Sequence, residues 1–198
     1  MRVAFGKIAT SKMKDAEGVG LAIALTEGPQ YKFGEIRVTG VGLTNKEALA
    51  EVEFKTGELA NMDLPAAAVK KLKDRLRHYG FMAGVVTFDR KLNDKELTVD
   101  ISFKLAAGTR YTMTGLTITG LDLNSEPFIR KMWGLAYGKP YNADYPQHFL
   151  DEIKSQGLFD NLKSMRYEEQ VDKAKATVGV TLIFVGGSDK PIDRRRQP

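Results

Sequence analysis

Apolar and polar residues alternate at Leu97, Val99, Ile101 and Phe103, the two-residue period of a strand with one buried face. Upstream, Tyr31 and Phe33 alternate, and then Ile36 and Val38 resume the pattern after a slip at Gly34. A slip of that kind predicts a strand with a bulge at the glycine. Thr44-Asn45-Lys46-Glu47 is a capping-box pattern, which predicts a short helix to about Val52, with Gly57 ending that stretch. Asp63 is placed to cap a second helix, with Pro65 in its first turn, where the missing N–H costs little. Ala68, Leu72, Leu76 and Tyr79 recur at helical spacing and make one apolar stripe. Lys70, Lys71, Lys73, Arg75 and Arg77 lie mostly on the other face, and Gly80 suits the left-handed position that ends the helix. Val85-Val86-Thr87-Phe88 reads as a β-rich run, followed by a turn at Leu92-Asn93-Asp94-Lys95 and the strand from Leu97. The predicted order is β-α-α-β-β.

The same order returns. Glu27-Gly28-Pro29-Gln30-Tyr31 through Ile36-Arg37-Val38-Thr39-Gly40 is matched by Ala107-Gly108-Thr109-Arg110-Tyr111 through Leu116-Thr117-Ile118-Thr119-Gly120. The offset is 80 throughout this stretch (28 to 108, 31 to 111, 38 to 118, 40 to 120). Downstream, Leu43 pairs with Leu123, Leu76-x-x-x-Gly80-Phe81 with Ile153-x-x-x-Gly157-Leu158, and Val99-x-Ile101-x-Phe103 with Val178-x-Val180-x-Leu182. The second copy is expected to hold a strand near 111–119, a helix capped by Asn124 and reaching Trp133, and a helix near 144–156 with Tyr145, Phe149 and Ile153 on one face. Strands near 163–170 and 175–184 complete it. Val19-x-Leu21-x-Ile23-x-Leu25 fits the same frame as Val99 to Leu105. Residues 1–27 therefore read as the last two strands of a truncated upstream module, since a lone hairpin buries its apolar face poorly. The expected division is 1–27, then modules at 28–107 and 108–187, then a polar tail at 188–198.

Composition narrows the chemistry. The 198 residues are 42% hydrophobic, enough for one medium domain or two small ones. No apolar run is long enough for a membrane-spanning helix, and the first residues lack the apolar core of a signal peptide. Any export leader is expected to lie outside this sequence. There is no cysteine, which removes disulfides, thiolate metal sites and cysteine nucleophiles. The net charge of +5 favours acidic or anionic partners, though part of it is the Arg194-Arg195-Arg196 run, a pattern usual in solvated tails.

The Glu27 to Gly40 opening, the Leu76-Arg77-His78-Tyr79-Gly80-Phe81 helix end and the repeat together resemble POTRA domains. These are the periplasmic repeats of BamA and TamA-like outer-membrane assembly factors and of two-partner secretion transporters. Phe81 stands where the family usually has tyrosine, and Gly157-Leu158-Phe159-Asp160 resembles an alternative G-x-F ending. The resemblance covers about residues 1–187. It implies an α+β fold of tandem βααββ modules, each with two helices packed on a three-stranded mixed sheet. It also implies a non-catalytic scaffold at the periplasmic face of the outer membrane of a Gram-negative bacterium. Its implied partners are unfolded outer-membrane or secreted polypeptides, assembly lipoproteins and, in the full-length protein, a membrane-embedded β-barrel.

An edge strand supplies the physical reason for such a role. A three-stranded sheet leaves backbone N–H and C=O groups unpaired at its edges, and an extended client can add itself there. The resemblance assigns that edge to the strand after the second helix: Val85, Val86, Thr87 and Phe88 in the first module, Ser164, Met165, Arg166 and Tyr167 in the second. A plainer reading of the side chains makes Val85 and Phe88 core residues. The basic face of the second helix could steer acidic clients, or be simply solvated.

Catalytic signatures are sparse. His78 and His148 are the two histidines, in different modules and outside any metal-spacing motif. No phosphate loop, nucleophile elbow or dinucleotide fingerprint is present. Glu168 and Glu169 point to opposite sheet faces, a poor geometry for shared acid–base work. No catalytic, cofactor or metal residue is assigned, and no cofactor is expected. Met132 and Trp133 read as packing residues. The competing class is a basic α+β nucleic-acid-binding domain, which would need aromatic and basic residues together on one sheet face. Arg37 stands alone on its strand and no RNP-like or G-x-x-G signature occurs, so no nucleic acid is expected.

Overall fold

A computed structural model describes residues 3–12, 18–159 and 162–186. The expected polar tail at 188–198 lies outside the described residues. The chain begins with an antiparallel pair, β1 (Val3–Lys12) and β2 (Val19–Glu27). Module one follows as β3 (Lys32–Val41), α1 (Asn45–Ala50), α2 (Asp63–His78), β4 (Val85–Asn93) and β5 (Thr98–Ala106). Module two repeats it as β6 (Thr112–Thr119), α3 (Ser125–Met132), α4 (Tyr145–Gln156), β7 (Ser164–Asp172) and β8 (Thr177–Val185). The fold is α+β, with two three-stranded mixed sheets.

In module one the last strand, β5, is central. It runs parallel to β3 and antiparallel to β4, and in module two β8 lies in the same way between β6 and β7. Central placement explains the alternation that is strongest in these strands. Val99, Ile101, Phe103 and Leu105 are buried against the helices, while Asp100, Ser102 and Lys104 face the other way. From the helix side, Ala68, Leu72 and Leu76 of α2 meet them, with the Phe33 and Phe54 rings 4.2 Å apart and tilted by 33° in the same core. Module two buries Met113, Ile129, Tyr141, Phe149, Ile153, Val178, Val180 and Leu182 in a second core. Among the described residues the two cores share no buried side chain, and Met82 of module one packs against the second.

The bulge at Gly34 is present, with the β3–β5 register shifting between Phe33 and Ile36, and the β6–β8 register shifts at the equivalent place, between Met113 and Gly115. A Cβ at Gly34 would lie 2.2 Å from the Asp100 carboxylate, which accepts the Glu35 N–H there at 2.7 Å. The capping box forms as read. Thr44 Oγ1 accepts the Glu47 N–H at 3.3 Å, and Glu47 accepts the Thr44 N–H at 2.9 Å. Helix α2 ends in a Schellman turn, with Gly80 at φ +91 and Phe81 N–H bonded to the Leu76 carbonyl at 3.0 Å.

Three local expectations are corrected. Asn124 does not cap α3 through its side chain; Asp122 Oδ1 instead accepts the Asn124 and Ser125 N–H groups at 2.9 and 2.7 Å. Asp63 is the first helical residue rather than the cap, and Asn61 Oδ1 accepts its N–H at 3.0 Å. Leu97 belongs to the turn, at φ +51, because the β4–β5 ladder closes one residue later at Asn93 and Thr98.

Glu47 also ties the two helices of module one together, accepting the Tyr79 hydroxyl at 2.9 Å while Arg75 lies over the Tyr79 ring. Bonds from Thr44 first, and then from Tyr79, lower its pKa to about 2. A carboxylate with a depressed folded pKa lends stability above its unfolded value and loses it as the pH falls through the folded one. Glu47→Gln is therefore expected to lower the urea midpoint at neutral pH. That deficit should shrink between about pH 5 and pH 2 as the parent loses the same bonds. A constant deficit across that range would contradict the assignment.

Candidate functional site

Each sheet has two outer strands, and they are not equally open. The first half of β3 is paired on its outer side by the loop before α2. Phe33 donates to the Glu58 carbonyl at 2.8 Å and accepts from Gly57 at 2.8 Å, and Ala60 donates to Tyr31 at 2.9 Å. Module two repeats this, with Met113 bonded to Lys139 and Gly138, and Tyr141 N–H to Tyr111. No described segment occupies the outer side of β4 or β7, whose ladders run only to β5 and β8. Among the described residues, both expected edge strands are thus open along nine residues each.

Along β4 the side chains alternate. Val86 is buried, at 3% exposure, and Phe88 is half-buried against Phe103, while Val85 at 53% and Thr87 face solvent. The reading of Val85 as core is corrected: it lies an odd number of positions from Phe88, so the two cannot share a face. In β7, Met165 and Tyr167 turn inward and Ser164 and Arg166 outward. A groove of about 370 Å³ lies between α4 and the start of β7, lined by Leu150, Ile153, Leu158, Phe159, Met165 and Lys154 among others.

Three of the five basic residues on the α2 face are paired with carboxylates. Lys71 pairs with Glu53, Arg75 with Glu51 at 3.6 Å and Arg77 with Asp144 at 2.8 Å. On β3, Arg37 pairs with Glu35 beside it. Such contacts lower the charge available to an anionic partner.

Arg77 makes the main polar contact between the modules. Two of its guanidinium nitrogens reach one Asp144 oxygen, at 2.9 and 2.8 Å. The last carbonyls of α2 are then completed by module two. Gly80 accepts the Tyr111 N–H at 2.8 Å, Tyr79 accepts Arg110 Nε at 2.9 Å, and Arg77 accepts the Ala143 N–H at 3.4 Å. Helix ends need such partners, and here they come from the next domain. Behind this contact, Tyr141 is fully buried and donates to Glu169 at 2.6 Å. Burial first, and then the bond to Glu169, raise the Tyr141 pKa far above its ordinary value. Asp144 holds the Arg77 guanidinium firmly charged.

Sequence reasoning missed this junction. His78 and His148, seventy residues apart, line one cleft with Asp74, Asn142 and Asp144, and His78 Nδ1 lies 2.9 Å from Asn142 Nδ2. Among the described residues no three metal-ligating side chains converge. Glu168 is exposed and Glu169 is spent on Tyr141. Trp133 packs edge-on to Tyr145 and Phe149 at 4.9 and 5.0 Å, within the core of module two.

The architecture is that of two-layer βααββ units in tandem, each with its last strand central and the preceding one on the sheet edge. Residues 31–108 match the family model of POTRA, described as surface antigen variable number repeat. That match covers module one, and module two repeats its order of elements. The fold is shared with the crystal structure of Haemophilus influenzae BamA POTRA3-5, at 18% identity and TM-score 0.58, covering 92% of this chain and 72% of that one. It is also shared with BamA from Haemophilus ducreyi lacking POTRA domains 1-3, at 18% identity and TM-score 0.64, covering 79% of this chain and 30% of that one.

Proposed function

We propose that this chain is a non-catalytic periplasmic scaffold that takes up extended outer-membrane or secreted polypeptides by β-strand addition at β4 and β7. In the same reading it also receives accessory proteins of outer-membrane assembly. The observation that carries the proposal is the pairing of both strands on one side only, over their full length, in two copies of one fold. Main-chain hydrogen bonds require no particular client sequence, which suits a handler of many unfolded chains. Beside β7, the groove against α4, lined by apolar side chains together with Gln147, Asp151 and two lysines, offers room for alternate client side chains. The POTRA match and the BamA neighbours support the periplasmic setting.

Proline scanning of β4 tests the edge. Successive backbone N–H groups of a strand point to opposite sides. Of the exposed positions Thr87 and Arg90, three residues apart, one directs its N–H at β5 and the other outward. The proline variant that keeps the fold is the informative one. It is expected to weaken binding of an extended client peptide about tenfold, by one lost ladder bond and a steric block, while alanine at the same position has little effect. Equal losses for proline and alanine in a peptide titration would remove the edge from consideration.

A further inference from the structure

A group of cations stands on the helix side of the β4 edge. Arg90 lies opposite Ile101, which is buried against the helices, so Arg90 shares that face with Val86 and Phe88. Above the sheet, α2 packs on β4 and α1 on β3. Lys71 and Arg75 of α2 reach Glu53 and Glu51 at the end of α1, which turns that flank of α2 toward α1. Helical periodicity then places Val69 and Lys73 on the opposite flank, over β4, with Lys70 one turn before Lys73. Val69 packs against the core of module one, while Lys70, Lys73 and Arg90 are exposed. Among the described residues none of these cations meets a carboxylate. The neighbouring acids are engaged elsewhere. Asp89 pairs with Lys104 on the other sheet face, and Asp74 lines the cleft with His78 and His148.

Module two carries the same edge without this charge. Phe149 and Ile153 of α4 are buried where Leu72 and Leu76 are buried in α2, and Glu169 lies opposite Val180 as Arg90 lies opposite Ile101. The positions equivalent to Lys70, Lys73 and Arg90 are therefore Gln147, Leu150 and Glu169. Leu150 is buried, and Glu169 accepts the Tyr141 hydroxyl. Lys154 and Lys163 line the groove nearer the start of β7, in company with Asp151. Both modules keep the open strand, so the cationic rim midway along β4 is not something the fold itself requires.

We infer that the β4 edge selects extended segments that carry a carboxylate two residues beyond a pair of alternate apolar side chains. This rests on the strand-addition reading and names the client chemistry for one of its two edges. In a strand added to β4, the side chains opposite Val86 and Phe88 meet apolar surface. The next side chain on that face lies opposite Arg90 and beneath Lys73 and Lys70. A carboxylate there is attracted by all of them, and a lysine or arginine there is repelled, so the rim both attracts acidic segments and rejects basic ones.

The test uses two capped peptides of alternating valine and threonine on the intact chain. One has a glutamate at each end, in phase with the valines, so that either strand direction brings a carboxylate to Arg90; the other has glutamine there. Titrations are followed by amide resonances, with Val86 to Phe88 reporting on β4 and Met165 to Tyr167 on β7. At low salt the glutamate peptide is expected to bind β4 about tenfold more tightly than the glutamine peptide, and about 0.5 M salt should remove most of that preference. The combined variant Lys70→Gln, Lys73→Gln and Arg90→Gln should bind both peptides alike at β4, as weakly as the parent binds the glutamine peptide, with the β7 titrations unchanged. Equal affinities of the parent β4 for the two peptides would overturn the inference and leave the edge standing. So would a preference that survives in the combined variant or in high salt. If neither peptide shifts the β4 resonances, the edge itself fails, and the inference with it.

Discussion

Gly120→Ala is expected to cost module two on the order of 3 kcal/mol or more and to leave module one folded. Gly120 sits at φ +87 at the end of β6, where a left-handed backbone already disfavours any side chain. The larger obstacle is space. A Cβ there would lie 1.8 Å from the Phe184 carbonyl oxygen, which belongs to the central strand and cannot yield without breaking the β6–β8 ladder. Gly40 repeats the situation, at φ +113 and 2.0 Å from the Leu105 carbonyl. The control is Gly108→Ala, at φ +72 with nothing within 4 Å of the added carbon, where only conformational strain of about 1 kcal/mol applies. Urea unfolding followed by a probe in each module separates the two. Similar midpoints for Gly120→Ala and Gly108→Ala would show that the close approach relaxes freely.

Tyr141→Phe is the second large effect, expected at about 2 kcal/mol, because it removes a buried hydroxyl bonded to a carboxylate without altering the ring packing. The ring is fully buried in the core of module two, and its hydroxyl meets Glu169 at 2.6 Å. The same bond predicts an alkaline signature. Burial and Glu169 raise the folded pKa of Tyr141 above its unfolded value, so the stabilisation is complete below about pH 10 and is lost as the pH rises toward the folded value. Tyr141→Phe should lower the midpoint at neutral pH and flatten the alkaline decline. An unchanged alkaline limb in the variant would place that titration elsewhere, with Tyr167, whose pKa burial also raises, as the next group to replace.

Much of each module is legible in single positions. The alternation from Val99 to Phe103 and from Val178 to Leu182 is dense enough to mark the central strands, because a strand covered by neighbours on both sides and helices above has little freedom in its apolar face. Thr44 and Glu47 announce α1 because their hydrogen bonds are local in sequence. Asn124 misleads for a local reason too: as a cap it would accept the N–H of Glu126 or of position 127, but Pro127 has none and Glu126 bonds to the Asp122 carbonyl at 3.1 Å. The repeat also oversells likeness at Leu123, which is exposed, whereas Leu43 is partly packed into its core. Val85 was misplaced because a short apolar run carries no phase of its own. Only its pairing with Ala106 fixes which of its residues face the helices.

The open edge was readable from the count and order of elements, since three strands must leave two sides. Which side stays open came only from the family resemblance and not from the pattern of residues. The Phe33 and Met113 backbones pair with loops whose position depends on helix docking, and no periodicity records that. The junction was hidden for a similar reason. Its signal, Asn-x-Asp-x-Pro at the head of both second helices, is visible in the chain, but its meaning needs a partner residue sixty-seven positions away.

From the sequence alone came the number of modules, the order of their elements and the inward face of the two central strands, because these follow from contacts between near neighbours and from the burial of apolar surface. The tertiary structure decided which edge remains bare, where Arg77 finds its carboxylate and why Gly40 and Gly120 admit no side chain. Those depend on distances between segments remote along the chain, which are set when sheets and helices pack and not before.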